Sequence, residues 1–288
     1  MIEPLLRDDA FLADVERPLA ASALRLWWLG QSGYLVRFGN VQLLLDPYLS
    51  DSLTAKYAAT DKPHVRMTAR VIAPGRLTRI DVATSSHNHT DHLDPETLRP
   101  LREANPGMKL VIAEANRAFV AQRLGIDPAE PVGIDDGASV EIGGFQFHGI
   151  AAAHNELERD AAGRHRFLGC VIRAGRWTLY HGGDTLLYPG LAEKLRAFAP
   201  IDVALLPVNG NKPERRVAGN LDGAEAARLA HAIGAHCVIP CHYEMFEFNT
   251  ADPRELFAPE CERLGQRYRL LRAGESWSPG DGAGTPRE

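Results

Sequence analysis

Three histidines and one aspartate fall within six consecutive residues, in the segment His87-Asn88-His89-Thr90-Asp91-His92. Imidazole nitrogens and carboxylate oxygens are ligands that proteins use to bind zinc, iron and manganese. In an extended segment His87 and His89 project to the same side, whereas the neighbours Asp91 and His92 diverge unless the chain turns. One stretch of backbone can therefore supply ligands to two metal ions. Ordinary polar loops are built from Gly, Ser, Asn and Asp, and three clustered histidines are not typical of them.

The flanking residues place this segment between a strand and a helix. Residues 80–84 are apolar enough for a buried strand, and residues 94–98 predict a helix start with Asp94 as N-cap and Pro95 as the first helical residue. Active sites of layered α/β proteins commonly lie at such strand ends. The ligand-rich segment is therefore predicted to be an active-site loop.

The chain as a whole predicts one large globular domain. Its 288 residues are 45% hydrophobic and 24% charged, which is typical of soluble proteins, and the length allows a large core. We predict an N-terminal extension over residues 1–23 that packs on a domain over residues 24–274. Glycine and proline near the end predict a loose C-terminal tail over residues 275–288.

Charge and cysteine content narrow the choice of partners and compartment. The net charge of −5 gives no general attraction to nucleic acid, and no apolar run is long enough to span a bilayer. The N-terminus lacks the pattern of a secretory signal, and four widely spaced cysteines do not form a disulfide framework. We expect a cytoplasmic protein that acts on a small molecule. The sequence leaves open whether the protein forms homo-oligomers.

Strand-like segments recur along the chain, and acidic or imidazole residues follow several of them. Hairpins precede βα alternation in each half, which predicts two mixed sheets with helices on their outer faces. Asp46, His154, Asp184 and His242 each come just after a strand-like segment. A sheet edge would bring such residues together. Each one alone is as readily a cap or a satisfied core group, but together with the histidine-rich segment they predict one site.

Longer motifs resemble the metallo-β-lactamase superfamily of hydrolases over nearly the whole chain, and most closely its ascorbate-6-phosphate lactonase-like branch, a relative of the N-acyl-phosphatidylethanolamine phospholipase D group. The residues that carry this resemblance are Trp28-Leu29-Gly30-Gln31-Ser32-Gly33, residues 86–94, His181-Gly182-Gly183-Asp184-Thr185, Leu206-Pro207-Val208-Asn209-Gly210, Gly219-Asn220-Leu221 and residues 240–246. The resemblance implies an αββα sandwich of two mixed β-sheets flanked by helices, in the α/β class, with a metal site at one edge between the sheets.

The resemblance also implies a set of metal ligands. Two divalent ions, zinc or manganese with iron as a third option, would take seven side chains: His87, His89 and His154 for the first ion, Asp91, His92 and His242 for the second, and Asp184 as a bridge. Asp46 matches a position that supports the site, and we expect it to orient an imidazole.

Such a site predicts a metal-dependent hydrolase. A hydroxide held between the ions would attack a small, anionic ester or lactone, and Asp91 or Asp184 would relay a proton to the leaving group. Tyr243 would donate to the developing oxyanion, although a packed Tyr243 with a hydrogen-bonded hydroxyl fits the sequence equally well. Two alternatives are a phosphodiesterase and a non-hydrolytic metal-binding or redox protein.

Candidate substrate contacts follow the strand that ends near residue 206. Lys212, Arg215 and Arg216 would bind a phosphate or carboxylate, or else form solvated surface charge, because an acidic residue interrupts the cluster. Asn209 and Asn220 would contact substrate or simply close turns.

Overall fold

Within residues 1–280, the part of the chain that this computed structural model describes, thirteen strands pair into two sheets. The first sheet contains, in spatial order, β13 (Ser276–Trp277), β1 (Leu24–Gly30), β2 (Gly33–Phe38), β3 (Val41–Leu45), β4 (Val82–Ser85), β5 (Lys109–Ala113) and β6 (Val132–Ile134). The second contains β12 (Ala235–Cys241), β11 (Ile201–Pro207), β10 (Trp177–His181), β9 (Leu168–Ala174), β8 (Phe145–Ala151) and β7 (Ser139–Ile142).

Both sheets are mixed. In the first, β13, β1, β2 and β3 pair antiparallel, and the pairs from β3 to β6 are parallel. In the second, the pairs from β7 to β10 are antiparallel, and those from β10 to β12 are parallel. Helices flank the sheets: α1 (Asp8–Val15), α2 (Ser52–Tyr57), α3 (Pro95–Ala104), α4 (Arg117–Leu124), α5 (Leu191–Arg196), α6 (Gly223–Ala232) and α7 (Phe257–Leu264). The predicted αββα sandwich is confirmed.

The parallel strands are buried because both of their faces are covered. Leu44 in β3, Val82 in β4 and Val203 in β11 have no exposed surface, and residues of both sheets belong to one continuous hydrophobic core. This core fixes the strands, and thereby the loops that follow them.

Local hydrogen bonds decide where the helices begin. The Asp94 side chain accepts from the Glu96 backbone N–H at the start of α3, with Pro95 in the first turn, as predicted. Asp222 forms a capping box with Glu225 before α6. Helix α7 begins at Phe257, and before it the Asp252 side chain accepts from the Arg254 backbone N–H and closes a turn.

Both ends of the described chain pack on the sandwich. In α1, Phe11 is fully buried against Trp27 of β1, and the Trp27 indole N–H donates to Asp14 across 2.8 Å. At the other end, Ser276 and Trp277 pair with β1, so the segment predicted as a loose tail begins with a strand. Residues 281–288 of that predicted tail lie outside the described residues. None of the helices within residues 1–280 is both long and apolar enough to cross a bilayer.

Candidate metal centre

The predicted ligands lie just beyond the carboxyl ends of strands. His87 follows β4 by two residues, His154 follows β8 by three, and His242 comes directly after β12. Asp184 lies three residues beyond β10, after two glycines. Gly183 has a φ of +58°, and a Cβ there would lie 2.6 Å from the Leu168 carbonyl oxygen, so this approach requires glycine.

All seven predicted ligands come together in two groups that share Asp184. Within each group, one ligand atom from every residue lies within 4.8 Å of all the others; the groups are His87, His89, His154 and Asp184, and Asp91, His92, Asp184 and His242. Asp184 turns one carboxylate oxygen to each group. Its Oδ2 lies 3.5 Å from His154 Nε2, and its Oδ1 lies 3.3 Å from His92 Nε2.

Four buried ligand atoms have no hydrogen-bond partner within residues 1–280: His87 Nε2, His92 Nε2, His242 Nε2 and Asp184 Oδ1. His242 Nε2 does lie 2.8 Å from Asp184 Oδ1, but that contact lacks hydrogen-bond geometry. A buried polar atom without a partner costs about 1–3 kcal/mol. These atoms face one another across each group, where a divalent cation would satisfy them. The residues therefore fit two metal ions.

Neighbouring groups hold the other ring nitrogens. His92 Nδ1 donates to Asp46 Oδ2 across 2.7 Å, and His154 Nδ1 donates to the Gly219 carbonyl oxygen across 2.8 Å. These bonds fix the ring orientation and leave each Nε2 free for a metal. Burial raises the pKa of Asp46, but the hydrogen bond from His92 and the nearby imidazoles outweigh it and lower the pKa to about 2. Asp46 is therefore a carboxylate, placed as the sequence predicted.

Two of these residues occupy unfavourable backbone conformations. Asp46 has a φ of +36° and His242 has a φ of +63°, both in the left-handed region that residues other than glycine rarely adopt. Such conformations persist where the surrounding structure determines them, and they cluster at functional sites.

Charge is concentrated at the shared carboxylate. Burial raises the pKa of Asp184, but His242 and His92 outweigh that effect and hold it well below the usual range. Burial lowers the pKa of His92, but Asp184 and Asp91 more than reverse this and raise it well above the usual value. The pKa of buried His87 is lowered well below the usual value, by burial and by His92.

Gln31 belongs to the site, although the sequence did not identify it as a site residue. Its side-chain Nε2 donates to Asp91 Oδ2 across 2.8 Å and lies 3.0 Å from His242 Nδ1, so it joins two members of the second group. Gln31 follows the end of β1, as the other site residues follow their strands. Its position within the motif of residues 28–33 was the available signal.

The ligand groups form the floor of a cavity of about 560 Å³. Five of the predicted ligands belong to this floor: His89, Asp91, His154, Asp184 and His242. Four cationic side chains line its walls: Lys56, Lys62, Arg123 and Arg216. Apolar and aromatic side chains complete the walls, among them Tyr57, Phe119, Phe246 and Phe248. Lys56, Lys62 and Arg123 lie outside every segment that the sequence singled out.

Tyr243 does not line the cavity, as its predicted oxyanion role would require. It is buried, its ring stacks on Trp28 with centroids 4.3 Å apart, and its hydroxyl donates to the Leu271 carbonyl oxygen. It is not among the residues that line the cavity. The predicted oxyanion role is therefore wrong, and the alternative of a packed ring with a hydrogen-bonded hydroxyl describes Tyr243.

The predicted basic cluster divides in the structure. Arg216 lines the cavity and pairs with Asp61, whereas Lys212 is exposed and does not line it. Arg215 donates to protein oxygens, and it does not line the cavity either. Asn220 lines the cavity, and Asn209 is buried behind it. The prediction that Lys212 and Arg215 bind an anionic substrate in this cavity is thus wrong.

Known proteins resemble this chain along most of its length. It is 26% identical to the UPF0173 metal-dependent hydrolase of Aeropyrum pernix, over 88% of this chain and 96% of that protein. It is 29% identical to the UPF0173 metal-dependent hydrolase of Alkaliphilus metalliredigens, over 80% of this chain and 90% of that protein. The solved structure of Igni18, a metallo hydrolase of Ignicoccus hospitalis, superposes with a TM-score of 0.65 at 22% identity, over 89% of this chain and 98% of Igni18.

The beta-lactamase superfamily domain matches residues 42–243, more than half of the chain. This range contains every predicted metal ligand, from His87 to His242. The finer resemblance to the ascorbate-6-phosphate lactonase-like branch stays a prediction. The chain has the metallo-β-lactamase fold and belongs to the beta-lactamase superfamily.

Proposed function

We propose that this protein is a metal-dependent hydrolase that cleaves a small anionic ester or lactone. The observation that carries the proposal is the pair of ligand groups joined by Asp184, which lies at the floor of an open cavity with cationic walls. The names of the Aeropyrum and Alkaliphilus relatives support hydrolysis as the reaction class.

Two divalent ions, zinc or manganese, would supply the nucleophile by lowering the pKa of water from about 15.7 toward neutrality, and would polarise the electrophilic oxygen. Other residues of the chain orient the predicted ligands. Asp46 and the Gly219 carbonyl orient two of the imidazoles, and Gln31 holds the Asp91 carboxylate. Asp91 lies at the cavity floor, where its carboxylate would accept a proton from the attacking water and pass it to the leaving group.

The charges of the cavity wall support an anionic substrate. Lys56, Lys62 and Arg123 have no carboxylate within 4 Å among residues 1–280, and Asp91 and Asp184 are the only acidic side chains found in the described lining. Once cations occupy the ligand groups, the whole cavity is electropositive. A cleft lined by one sign of charge concentrates ligands of the opposite sign.

The test is a substitution of ligands combined with metal analysis. We expect His89→Ala and Asp184→Ala proteins to lose at least one equivalent of metal and at least ~100-fold of the hydrolysis of an anionic lactone panel. The matched control is His236→Ala, because His236 is exposed and its ring hydrogen-bonds Arg267, outside the cavity lining. Full metal content and full hydrolysis in both ligand variants would overturn the proposal.

Substrate assays and a visible spectrum of the same purified protein distinguish the other candidate functions. Turnover of an aryl phosphodiester without turnover of any ester or lactone would make the protein a phosphodiesterase, which the same ligand groups also suit. A visible iron spectrum without turnover of either class would support the non-hydrolytic redox alternative.

A further inference from the structure

One arginine holds both ends of the turn that carries three of the predicted metal ligands. This ligand turn, residues 88–93, lies in the loop that follows β4. Its three ligands are His89, Asp91 and His92. Arg123 Nη1 donates to the Asn88 carbonyl oxygen across 2.7 Å and to the Leu93 carbonyl oxygen across 3.3 Å. A single nitrogen therefore joins the first and the last residue of the ligand turn.

Backbone hydrogen bonds inside the ligand turn close only its second half. The N–H groups of His92 and Leu93 both donate to the His89 carbonyl oxygen, across 3.1 and 2.8 Å. The Asn88 carbonyl precedes this small hydrogen-bonded unit. Arg123 reaches across from α4 and connects that carbonyl to the end of the turn. The local backbone bonds and the arginine thus fix different parts of the same turn.

The Arg123 side chain is suited to this contact and is held in place. A guanidinium group only donates hydrogen bonds and stays charged, and a charged donor bonds a carbonyl more strongly than a neutral one. Its central carbon lies 4.7 Å from the ring centroid of Phe119, one helical turn earlier in α4. The same helix buries Val120 and Leu124 in the core. Arg123 therefore grips the ligand turn from a fixed element.

A second arginine of α4 makes the same kind of contact with a loop that holds no predicted ligand. Arg117 Nη1 donates to the Pro128 carbonyl oxygen across 2.6 Å and to the Pro131 carbonyl oxygen across 2.8 Å. Arg117 also pairs with Glu114, and it does not line the cavity. Arg117 and Arg123 therefore form a matched pair, in which only Arg123 holds a turn of the metal centre.

We propose that Arg123 is a positioning residue for the metal centre, which keeps the two ends of the ligand turn at the spacing that its three ligands need. The inference rests on the metal centre of the proposed function and is independent of the bond that is cleaved. His89 belongs to one ligand group, and Asp91 and His92 belong to the other. Loss of the Arg123 contacts should therefore weaken metal binding by both groups.

Zinc affinity tests this role without requiring turnover. Competition with a chromogenic chelator measures zinc binding to metal-free protein, and thermal unfolding of the same metal-free protein measures its stability. We expect Arg123→Met to lose about 10-fold or more of the zinc affinity, because a loosened turn must be ordered when the metal binds. Arg117→Met is the control, and its zinc affinity should stay within about 2-fold of wild type. A general loss of stability would lower Tm in both variants and leave zinc affinity unchanged.

A conservative variant separates the grip on the turn from the charge of the cavity wall. Arg123→Lys keeps the positive charge and a nitrogen that donates hydrogen bonds, but it loses the planar guanidinium group. We expect its zinc affinity to fall about 3-fold, which is less than in Arg123→Met. Arg123→Lys also takes the place of Arg123→Met in the comparison with Arg117→Met if Arg123→Met does not fold.

The inference is wrong if the folded Arg123 variants bind zinc as tightly as wild type, or if Arg117→Met loses as much affinity as they do. Hydrolysis of the lactone panel by wild type, with unchanged zinc affinity in Arg123→Met, would overturn the positioning role and leave the proposed function standing. Weaker zinc binding in Arg123→Met, without any hydrolysis by zinc-loaded wild type, would support the positioning role and overturn the proposed function.

Discussion

The Asp46 carboxylate accepts a hydrogen bond from His92 Nδ1 across 2.7 Å, and neither side chain has any exposed surface. Asp46 follows β3, whereas His92 lies in the loop after the neighbouring strand β4. The pair therefore couples the histidine-rich loop to the core of the sheet. It also keeps a proton on Nδ1, so that His92 Nε2 is available to a metal ion.

We expect Asp46→Ala to lower the affinity for the metal bound by His92 about 10- to 100-fold, because the imidazole loses its orienting partner. Competition with a chromogenic chelator measures this affinity. The control is Asp81→Ala, since Asp81 precedes β4 at the opposite end of the same strands and bonds the Gln42 N–H. Unchanged metal affinity in Asp46→Ala would contradict the orienting role.

Removal of metal should destabilise the fold. The free ligand atoms of His87, His92 and His242 are buried, and the chelated protein leaves them without partners within the described chain. At a free metal concentration 100 times Kd, binding stabilises the folded state by about 2.7 kcal/mol. We expect chelation to lower Tm by about 5 °C or more, and added zinc or manganese to restore it. Equal Tm values with and without metal would argue against a resident ion.

Tyr243→Phe should affect stability and leave the chemistry unchanged. The substitution removes the hydrogen bond to the Leu271 carbonyl oxygen but keeps the ring on Trp28. We expect the free energy of unfolding to fall by about 1 kcal/mol, and hydrolysis and metal content to stay within about 3-fold of wild type. A 100-fold loss of kcat in a stable Tyr243→Phe protein would restore the catalytic role that the sequence predicted.

Phe11→Ala should show that the N-terminal helix contributes to the core. Phe11 is fully buried against Trp27, and its truncation is expected to cost about 3–5 kcal/mol of unfolding free energy. Leu12→Ala, on the same helix but only partly buried, should cost clearly less. Denaturant unfolding measures both. If both variants are as stable as wild type, residues 1–23 are a dispensable extension.

The sequence determined the fold class and predicted which acidic and imidazole side chains gather beyond the strand ends, and the physical reason is local. A histidine and aspartate cluster that follows an apolar strand has few structural uses, and the lone residues Asp46, His154, Asp184 and His242 each end a strand-like segment. Strand ends at one sheet edge are close in any such sandwich. Helix starts with local caps, as at Asp94, were equally predictable, because the capping bond joins residues near in sequence.

Only the tertiary structure decided what surrounds the ligands, because those neighbours are distant in sequence. Gln31 meets Asp91 across 60 residues, and Tyr243 finds the Leu271 carbonyl instead of the cavity. Arg215 resembled an anion-binding residue in sequence, but in the fold its donors are taken by protein oxygens. Residue type sets which bonds a side chain can form, and packing sets which partners are within reach.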